Sequence, residues 1–89
     1  MRFKNWIREE YENYDDKELL REAIKEEYYA TNVYTQMAKK ATNPEIRDIL
    51  LHVAEEEKVH VEEFKRILER YDPEITSSKR HAEEELEEM

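Results

Sequence analysis

The amino-acid sequence predicts an all-α fold, an antiparallel hairpin of two long helices with a shorter helix on each side. Of the 89 residues, 44% are charged, two are proline and none is glycine. This composition favours long, solvent-exposed helices and disfavours sheets with tight turns. The apolar content of 38% is too low for a large core within so short a chain, so we expect self-association.

The N-terminal segment, residues 1–15, is predicted to be a short helix or arm. Its apolar residues recur at helical spacing, and the face that they form is expected to cover a neighbouring helix. They are Phe3, Trp6, Ile7, Tyr11 and Tyr14.

Residues 16–72 are predicted to form the hairpin. Asp15 and Asp16 are candidate N-caps for a first helix over about residues 16–41. Apolar side chains then recur with nearly heptad spacing, and Glu27 interrupts them near the middle.

The sequence places the turn of the hairpin at residues 42–44. Asn43 is a good N-cap, and Pro44 fits the first position of a second helix, where no amide donor is needed. This helix runs to about Tyr71, because the proline at position 73 disfavours helical geometry before it. A connection this short makes the two helices antiparallel neighbours.

The C-terminal segment, residues 73–89, is predicted to be a short acidic helix or a frayed tail. Ser77 and Ser78 are possible N-caps. Beyond them the segment is mostly glutamate, with a sparse apolar stripe made of Ala82, Leu86 and Met89.

Charge and composition exclude several classes of function. A net charge of −9 argues against binding to nucleic-acid backbones. No cysteine is present, so disulfides and thiolate metal sites are excluded. No apolar run approaches the length of a membrane span, and no signal-peptide core is evident at the N-terminus. We therefore expect a cytoplasmic protein with no membrane or nucleic-acid partner.

The candidate functional residues lie where ionisable side chains interrupt the apolar stripes. Glu57 and His60 are three residues apart, which stacks them on one helix face. They share that face with apolar residues on both sides, and Glu27 has the equivalent place in the first helix. The stripe of the second helix comprises Ile46, Ile49, Leu50, Val53, Glu57, His60, Phe64, Ile67, Leu68 and Tyr71.

These three residues are half of a known ligand set. A carboxylate-bridged di-iron site in a four-helix bundle takes one Glu from each of two helices and a Glu-x-x-His motif from each of the other two. One hairpin offers half of these ligands, and a two-fold dimer would present all of them. Glu27 and Glu57 both lie about 20 Å from the turn, at about 1.5 Å per residue, so they are expected to face each other.

A different interpretation remains open for each residue. Glu27, Glu57 and His60 could form a hydrogen-bonded polar layer that fixes the register of the helices without a metal. Tyr34, two turns after Glu27, could bond to a metal-bound carboxylate or simply fill the core. Glu26 and Glu56 could line a path for entering cations or be solvated surface.

The order and spacing of these residues resemble those of the encapsulated ferritins, short ferritin-like proteins housed in encapsulin nanocompartments. The resemblance covers about residues 16–71. It is carried by Glu26-Glu27, Tyr34, Asn43-Pro44-Glu45-Ile46, Ile49-Leu50 and Glu55-Glu56-Glu57-Lys58-Val59-His60.

The resemblance implies that the hairpin dimerises to complete a ferritin-like four-helix bundle, and that dimers join into a ring-shaped decamer. It implies a ferroxidase in which Glu27, Glu57 and His60 of two subunits bind a pair of irons, with Tyr34 nearby. Fe(II) would be oxidised by dioxygen to Fe(III) and stored inside an encapsulin shell in the cytoplasm. Two alternatives are a non-catalytic helical scaffold and a rubrerythrin-like di-metal oxidase or peroxidase.

Overall fold

The structure is a computed structural model, and it describes residues 10–89. Three helices follow one another in this part of the chain, namely α1 (Asp16–Lys40), α2 (Pro44–Tyr71) and α3 (Pro73–Glu88). No strand occurs among these residues. The all-α prediction is confirmed, whereas dimerisation into a four-helix bundle stays a prediction.

Most of the predicted N-terminal helix lies outside the described residues. Within the described part, Glu10 and Tyr11 are helical. The N–H of Tyr14 donates to the carbonyl of Tyr11 at 3.0 Å, which closes a turn before α1. The rings of Tyr11 and Tyr14 meet edge to face, with 5.4 Å between their centroids.

Helix α1 begins with a reciprocal cap. The N–H of Glu18 donates to the Asp15 carboxylate at 2.7 Å, and the N–H of Asp15 donates to the Glu18 carboxylate at 3.2 Å. This capping box satisfies amides that have no partner within the helix. Lys39 and Lys40 in the last turn complement the negative end of the helix dipole.

The turn forms as its residues predict. The Asn43 side chain accepts hydrogen bonds from the N–H groups of Glu45 at 2.9 Å and Ile46 at 3.1 Å, and Pro44 opens α2. The Arg47 guanidinium donates to the carbonyl of Ala41 at 2.9 Å. The two long helices are thereby joined by three residues, 41–43, and run antiparallel.

Helix α3 begins earlier than the serines predict, so a cap at Ser77 or Ser78 is wrong. Asp72 is the N-cap, and its side chain accepts from the N–H of Glu74 at 3.1 Å. Pro73 follows at the first helical position, where its missing N–H costs nothing. The sequence signal that ends α2 therefore also starts α3, and the segment is helical rather than a frayed tail.

The core between α1 and α2 is thin and made of small residues. The buried apolar side chains among the described residues are Ala38, Ala54, Val61 and Leu68. The last three are seven residues apart and form one line along α2. The stripe that contains Glu57 and His60 was predicted to be the apolar face of α2, whereas the structure leaves His60 at the margin of the contact with α1.

Polar contacts close one edge of the helix pair. Arg21 and Tyr28, seven residues apart on one side of α1, both reach across. The Arg21 guanidinium contacts the Asp72 carboxylate at 2.6 Å. The Lys65 ammonium of α2 lies 5.6 Å from the centre of the Tyr28 ring.

The opposite side of the contact between α1 and α2 is uncovered and apolar, and we call this surface the open face. A groove of about 920 Å³ lies there at the end of the hairpin away from the turn, lined in part by Leu20, Ala23 and Phe64. Large apolar side chains along this face stay exposed because no other element of the described chain covers them. They are Leu19, Met37, Ile46, Ile49, Ile67 and Tyr71.

The described molecule is flat, with Cα extents of 49 × 43 × 15 Å. Helix α3 contacts the end of α2 near its own first turn, and after Ile75 every residue is exposed. None of the helices within residues 10–89 combines the length and apolar character that a membrane span requires.

Candidate metal centre

Antiparallel pairing brings Glu27 of α1 beside Glu57 and His60 of α2. Each residue offers one ligand atom, and the three atoms all lie within 4.8 Å of one another. Within the part of the chain that the structure describes, no other group of acidic, histidine or cysteine side chains has this geometry. Helix spacing stacks Glu57 under His60, and the register of the hairpin supplies Glu27.

The imidazole lies between the two carboxylates. His60 Nδ1 is 3.3 Å from Glu27 Oε2 and 3.9 Å from Glu57 Oε2. When Nδ1 carries its proton it can donate to Glu27, and when it does not, its lone pair points toward the carboxylate oxygens. A cation between these atoms would therefore meet two oxygens and one nitrogen.

The two carboxyl groups interact strongly with each other. The pKa of Glu57 is raised above its ordinary value, first by the hydrogen bond to Glu27, then by burial and by the negative charge of Glu27. His60 acts in the opposite direction. When one of two adjacent carboxyl groups is ionised, ionisation of the other is disfavoured. The metal-free site therefore tends to hold a proton where a cation could bind.

The cluster is open on one side. The side chains of Glu27 and Glu57 are 21% and 18% exposed, whereas that of His60 is 45% exposed. His60 is on the open face, because Ile49 and Ile67 lie eleven residues before it and seven after it on nearly the same side of α2. The cluster of Glu27, Glu57 and His60 thus borders the uncovered apolar surface.

The other predicted site residues are not part of this cluster. Tyr34 is half-buried, one heptad beyond Glu27 and therefore about 10 Å along α1. No hydrogen bond within residues 10–89 joins it to the three ligands. Glu26 is exposed and lies near Tyr11, on a shallow hollow beside the open face.

Glu56 is exposed and faces His52, whose Nε2 lies 3.5 Å from its carboxylate. Its negative charge makes a small contribution to the raised pKa of Glu57. The roles of Glu26 and Glu56 on a cation path stay a prediction.

Sequence reasoning missed the pair formed by Arg21 and Asp72. The sequence gives Asp72 no role beyond its place before the proline that ends the second helix, yet Asp72 is 6% exposed and binds both α1 and α3. Its partner is 51 residues away in the sequence. No local pattern indicates a contact over that separation.

The fold and the cluster define a class of protein, a helical hairpin with a carboxylate–histidine cluster of the kind that binds metal ions. The sequence profile of the rubrerythrin family matches residues 18–88, and the chain belongs to this family. Rubrerythrins are ferritin-like proteins and a family of di-iron proteins.

The chain is also 44% identical over 72 residues to a ferritin-like–encapsulin shell fusion protein of Pyrococcus furiosus. The alignment covers 81% of this chain and 21% of that protein, so the chain spans about one fifth of the relative's length. No solved structure matches the chain. The resemblance to an encapsulin-associated ferritin-like protein is confirmed by these two findings.

Proposed function

We propose that the protein is a ferroxidase whose di-iron centre forms when two copies join through their open faces. The observation that carries this proposal is the cluster of Glu27, Glu57 and His60 at the border of an uncovered apolar surface. Iron supplies the electrons when bound, each Fe(II) losing one electron, and dioxygen is the acceptor.

The donor set fits iron. Carboxylate oxygen and imidazole nitrogen suit iron, manganese and zinc, and the absence of cysteine excludes a thiolate site. One chain supplies three such side chains, which are too few to enclose two cations. A two-fold axis beside His60 would double the set to four carboxylates and two imidazoles.

The chain's own residues would act as a preorganised cage. Packing of α1 on α2 places Glu27 and Glu57 in contact before metal arrives, so little reorganisation is needed on binding. The proton that the carboxyl pair favours has to leave when a cation binds, and His60 must present an unprotonated nitrogen. Burial of the open faces would exclude bulk water from the centre.

The same dimer would also bury more apolar surface than the small core of a single chain does. Six large apolar side chains of the open face are exposed in the single chain, with exposures from 37% for Ile67 to 67% for Tyr71. Covering them with a second copy stabilises the dimer by about 25 cal/mol for each Å² of apolar surface removed from water. One contact would therefore complete both the core and the ligand set.

We further propose that the protein acts with an encapsulin shell, where Fe(III) would be stored. The support is its similarity to a protein that joins a ferritin-like part and an encapsulin shell part in one chain. The test is co-expression with an encapsulin shell protein from the same source. Copurification and iron-loaded shells are expected, and empty shells beside free protein would contradict the proposal.

A second candidate function is a rubrerythrin-like oxidase or peroxidase at the same site, which the family match favours. The two functions differ in the oxidant consumed. Oxygen and peroxide are measured separately while Fe(II) is added to the metal-free protein. Oxygen consumption alone supports a ferroxidase, whereas faster oxidation with peroxide supports the second function.

The site itself is tested by substitution. Glu57→Ala and His60→Ala are each expected to abolish rapid Fe(II) oxidation, because each removes a ligand that occurs twice in the dimer. The matched controls are Glu63→Ala and His52→Ala, which alter exposed residues of the same types on α2. Stopped-flow absorbance gives the rate, and circular dichroism checks folding. Unchanged oxidation in both ligand variants would remove the site assignment.

A further inference from the structure

The groove at the end of the open face is apolar inside and charged at its edge. Leu20, Ala23 and Phe64 lie inside it, and Asp15 and Asp16 lie at its edge. Its volume is about 920 Å³, and no side chain within residues 10–89 fills it. An exposed apolar surface of this kind marks a place that another segment or molecule covers.

The described chain starts at the margin of this groove. The turn closed by Tyr11 and Tyr14 brings Tyr11 back along α1, where it lines a shallow hollow together with Leu19 and Ala23. Leu19 and Ala23 also line the groove. The residues that precede Tyr11 therefore continue from the edge of the groove, and the groove of the same hairpin is the nearest one to them.

The surroundings of the groove are acidic. Its edge and the adjoining hollow carry four carboxylates and one lysine, namely Asp15, Asp16, Glu22, Glu26 and Lys17. Burial raises the pKa of Tyr11, and the negative charge of nearby glutamates raises it further. A basic segment is attracted to a surface with this potential.

The N-terminal segment, residues 1–8, has the complementary charge. It contains Arg2, Lys4 and Arg8 and no acidic residue, although the whole chain has a net charge of −9. Charge complementarity therefore favours contact between this segment and the acidic edge of the groove over contact with any basic surface.

The same segment supplies apolar side chains for the inside of the groove. Phe3, Trp6 and Ile7 recur at helical spacing, and Tyr11 continues this stripe. Aromatic side chains have much apolar surface to remove from water. Because Tyr11 borders the groove, the stripe reaches it directly from the described part of the chain.

The length of the segment also suits the groove. Nine residues precede the described chain, and nine residues span about 13 Å in a helix or about 30 Å when extended. Along α1 the groove runs from Asp16 to Ala23, which is about 10 Å at the helical rise. The segment is therefore long enough to cover the groove without a second copy.

We propose that residues 1–8 dock in the groove of their own hairpin, with their apolar stripe inside it and their basic side chains toward its acidic edge. The groove begins about one helical turn beyond the candidate metal centre, because Phe64 follows His60 by four residues. The docked segment closes this end of the open face and leaves the part around His60 to a second copy.

The docking is tested by fluorescence, because Trp6 is the only tryptophan of the chain. In the full-length metal-free protein at low salt, its emission is expected to be shifted to the blue and weakly quenched by acrylamide. Asp16→Lys with Glu22→Lys reverses the charge of the groove's edge. This edge variant is expected to shift the emission to the red and to raise the quenching constant severalfold.

The matched control is Glu83→Lys with Glu87→Lys, which makes the same charge change on the exposed outer half of α3 and should leave the emission unchanged. Adding Lys4→Glu and Arg8→Glu to the edge variant should restore the blue-shifted emission, because the charges are then exchanged. Circular dichroism verifies that each variant stays helical. An exposed Trp6 in the wild type, an unchanged edge variant, or failed restoration would overturn the proposal.

A disulfide trap identifies which chain supplies the segment, since the chain has no cysteine of its own. Ile7→Cys with Ile67→Cys places one thiol in the segment and one in the groove. Mild oxidation is expected to join them within one chain, as seen on a non-reducing gel. Ile7→Cys with Val59→Cys is the control, because Val59 is exposed outside the groove and should not be joined. Disulfides formed only between two chains would show that a second copy's segment fills the groove, and they would overturn the proposal.

The docking does not rest on the proposed ferroxidase activity. Glu57→Ala is expected to keep the shielded Trp6, because Glu57 does not line the groove. Unchanged iron oxidation in the ligand variants would remove the metal site and leave the docking intact. A Trp6 that becomes exposed in Glu57→Ala would overturn the proposal, since docking would then require the ligand cluster.

Discussion

Glu57 shows how a single side chain links structure to chemistry. Its place beside Glu27 raises its pKa, so the metal-free protein holds two carboxyl groups that resist being ionised together. This arrangement costs stability at neutral pH and favours cation binding for the same reason. A hydrogen-bonded layer that only sets helix register would not need a third, imidazole donor on an exposed edge.

Glu57→Gln is expected to stabilise the metal-free protein at neutral pH, because it removes one of two adjacent negative charges. A carboxyl whose pKa is raised by folding stabilises the fold below its unfolded pKa, and that stability is lost as pH rises through the folded pKa. The advantage of the variant should therefore be absent in acid and grow as pH rises through the raised pKa of Glu57. Thermal unfolding in chelator at a series of pH values measures it.

Glu56→Gln is the control, since it makes the same change in net charge at an exposed neighbour. It should show a much smaller dependence on pH. If Glu57→Gln is less stable than wild type in the metal-free state at pH 7, an ionised Glu57 beside Glu27 does not destabilise the fold, and the account of the pair is wrong.

The sequence allowed the three ligands to be proposed because helix spacing is local. Glu57 and His60 lie on one face in any α-helix, and the short turn then fixes which residue of α1 is opposite. The burial of Ala54 and Val61 was not foreseen. The apolar side chains of α2 form an arc around the helix that is wide enough to contact two neighbouring helices. Their positions in the sequence do not show which part of the arc faces α1 and which part stays exposed.

At the scale of elements, the boundaries were largely predictable because they depend on caps. Asn43 with Pro44, and Asp15 with Glu18, are signals within three residues of each other. The start of α3 was misplaced, since Asp72 and Pro73 end one helix and begin the next without a loop. Arg21 of α1 contacts Asp72 at the junction of α2 and α3, and the sequence does not indicate that contact.

Asp72→Ala is expected to lower the free energy of unfolding by about 1–3 kcal/mol, because it removes both a helix cap and the partner of Arg21. Asp72→Asn should lose less, since the amide oxygen can still accept the N–H of Glu74. Urea unfolding followed by circular dichroism measures both variants.

Asp48→Ala is the control for Asp72→Ala, because Asp48 is an exposed aspartate near the start of α2. It should change stability by less than about 0.5 kcal/mol. Equal effects at the two positions would show that the contacts of Asp72 contribute nothing beyond those of a surface aspartate.

At the scale of the whole molecule, one chain is incomplete in two respects. Its buried apolar core among the described residues consists of four side chains, and its ligand cluster is open toward the uncovered face. Composition predicted this shortage, and the sequence placed Glu57 and His60 on one stripe with apolar residues of α2, whereas it could not show which part of that stripe α1 leaves uncovered. That coincidence is the strongest reason to expect a second copy over the candidate metal centre.

The central claim is that a single chain holds half a metal centre and that a second copy completes it. Native mass spectrometry tests it most directly, because metal content and chain number are read from the same ion. With Fe(II) added without oxygen across a dilution series, we expect pairs of iron ions on dimers and their multiples, none on monomers, and none on Glu57→Ala. Monomers that bind iron as tightly as dimers, or dimers without iron, would contradict the claim.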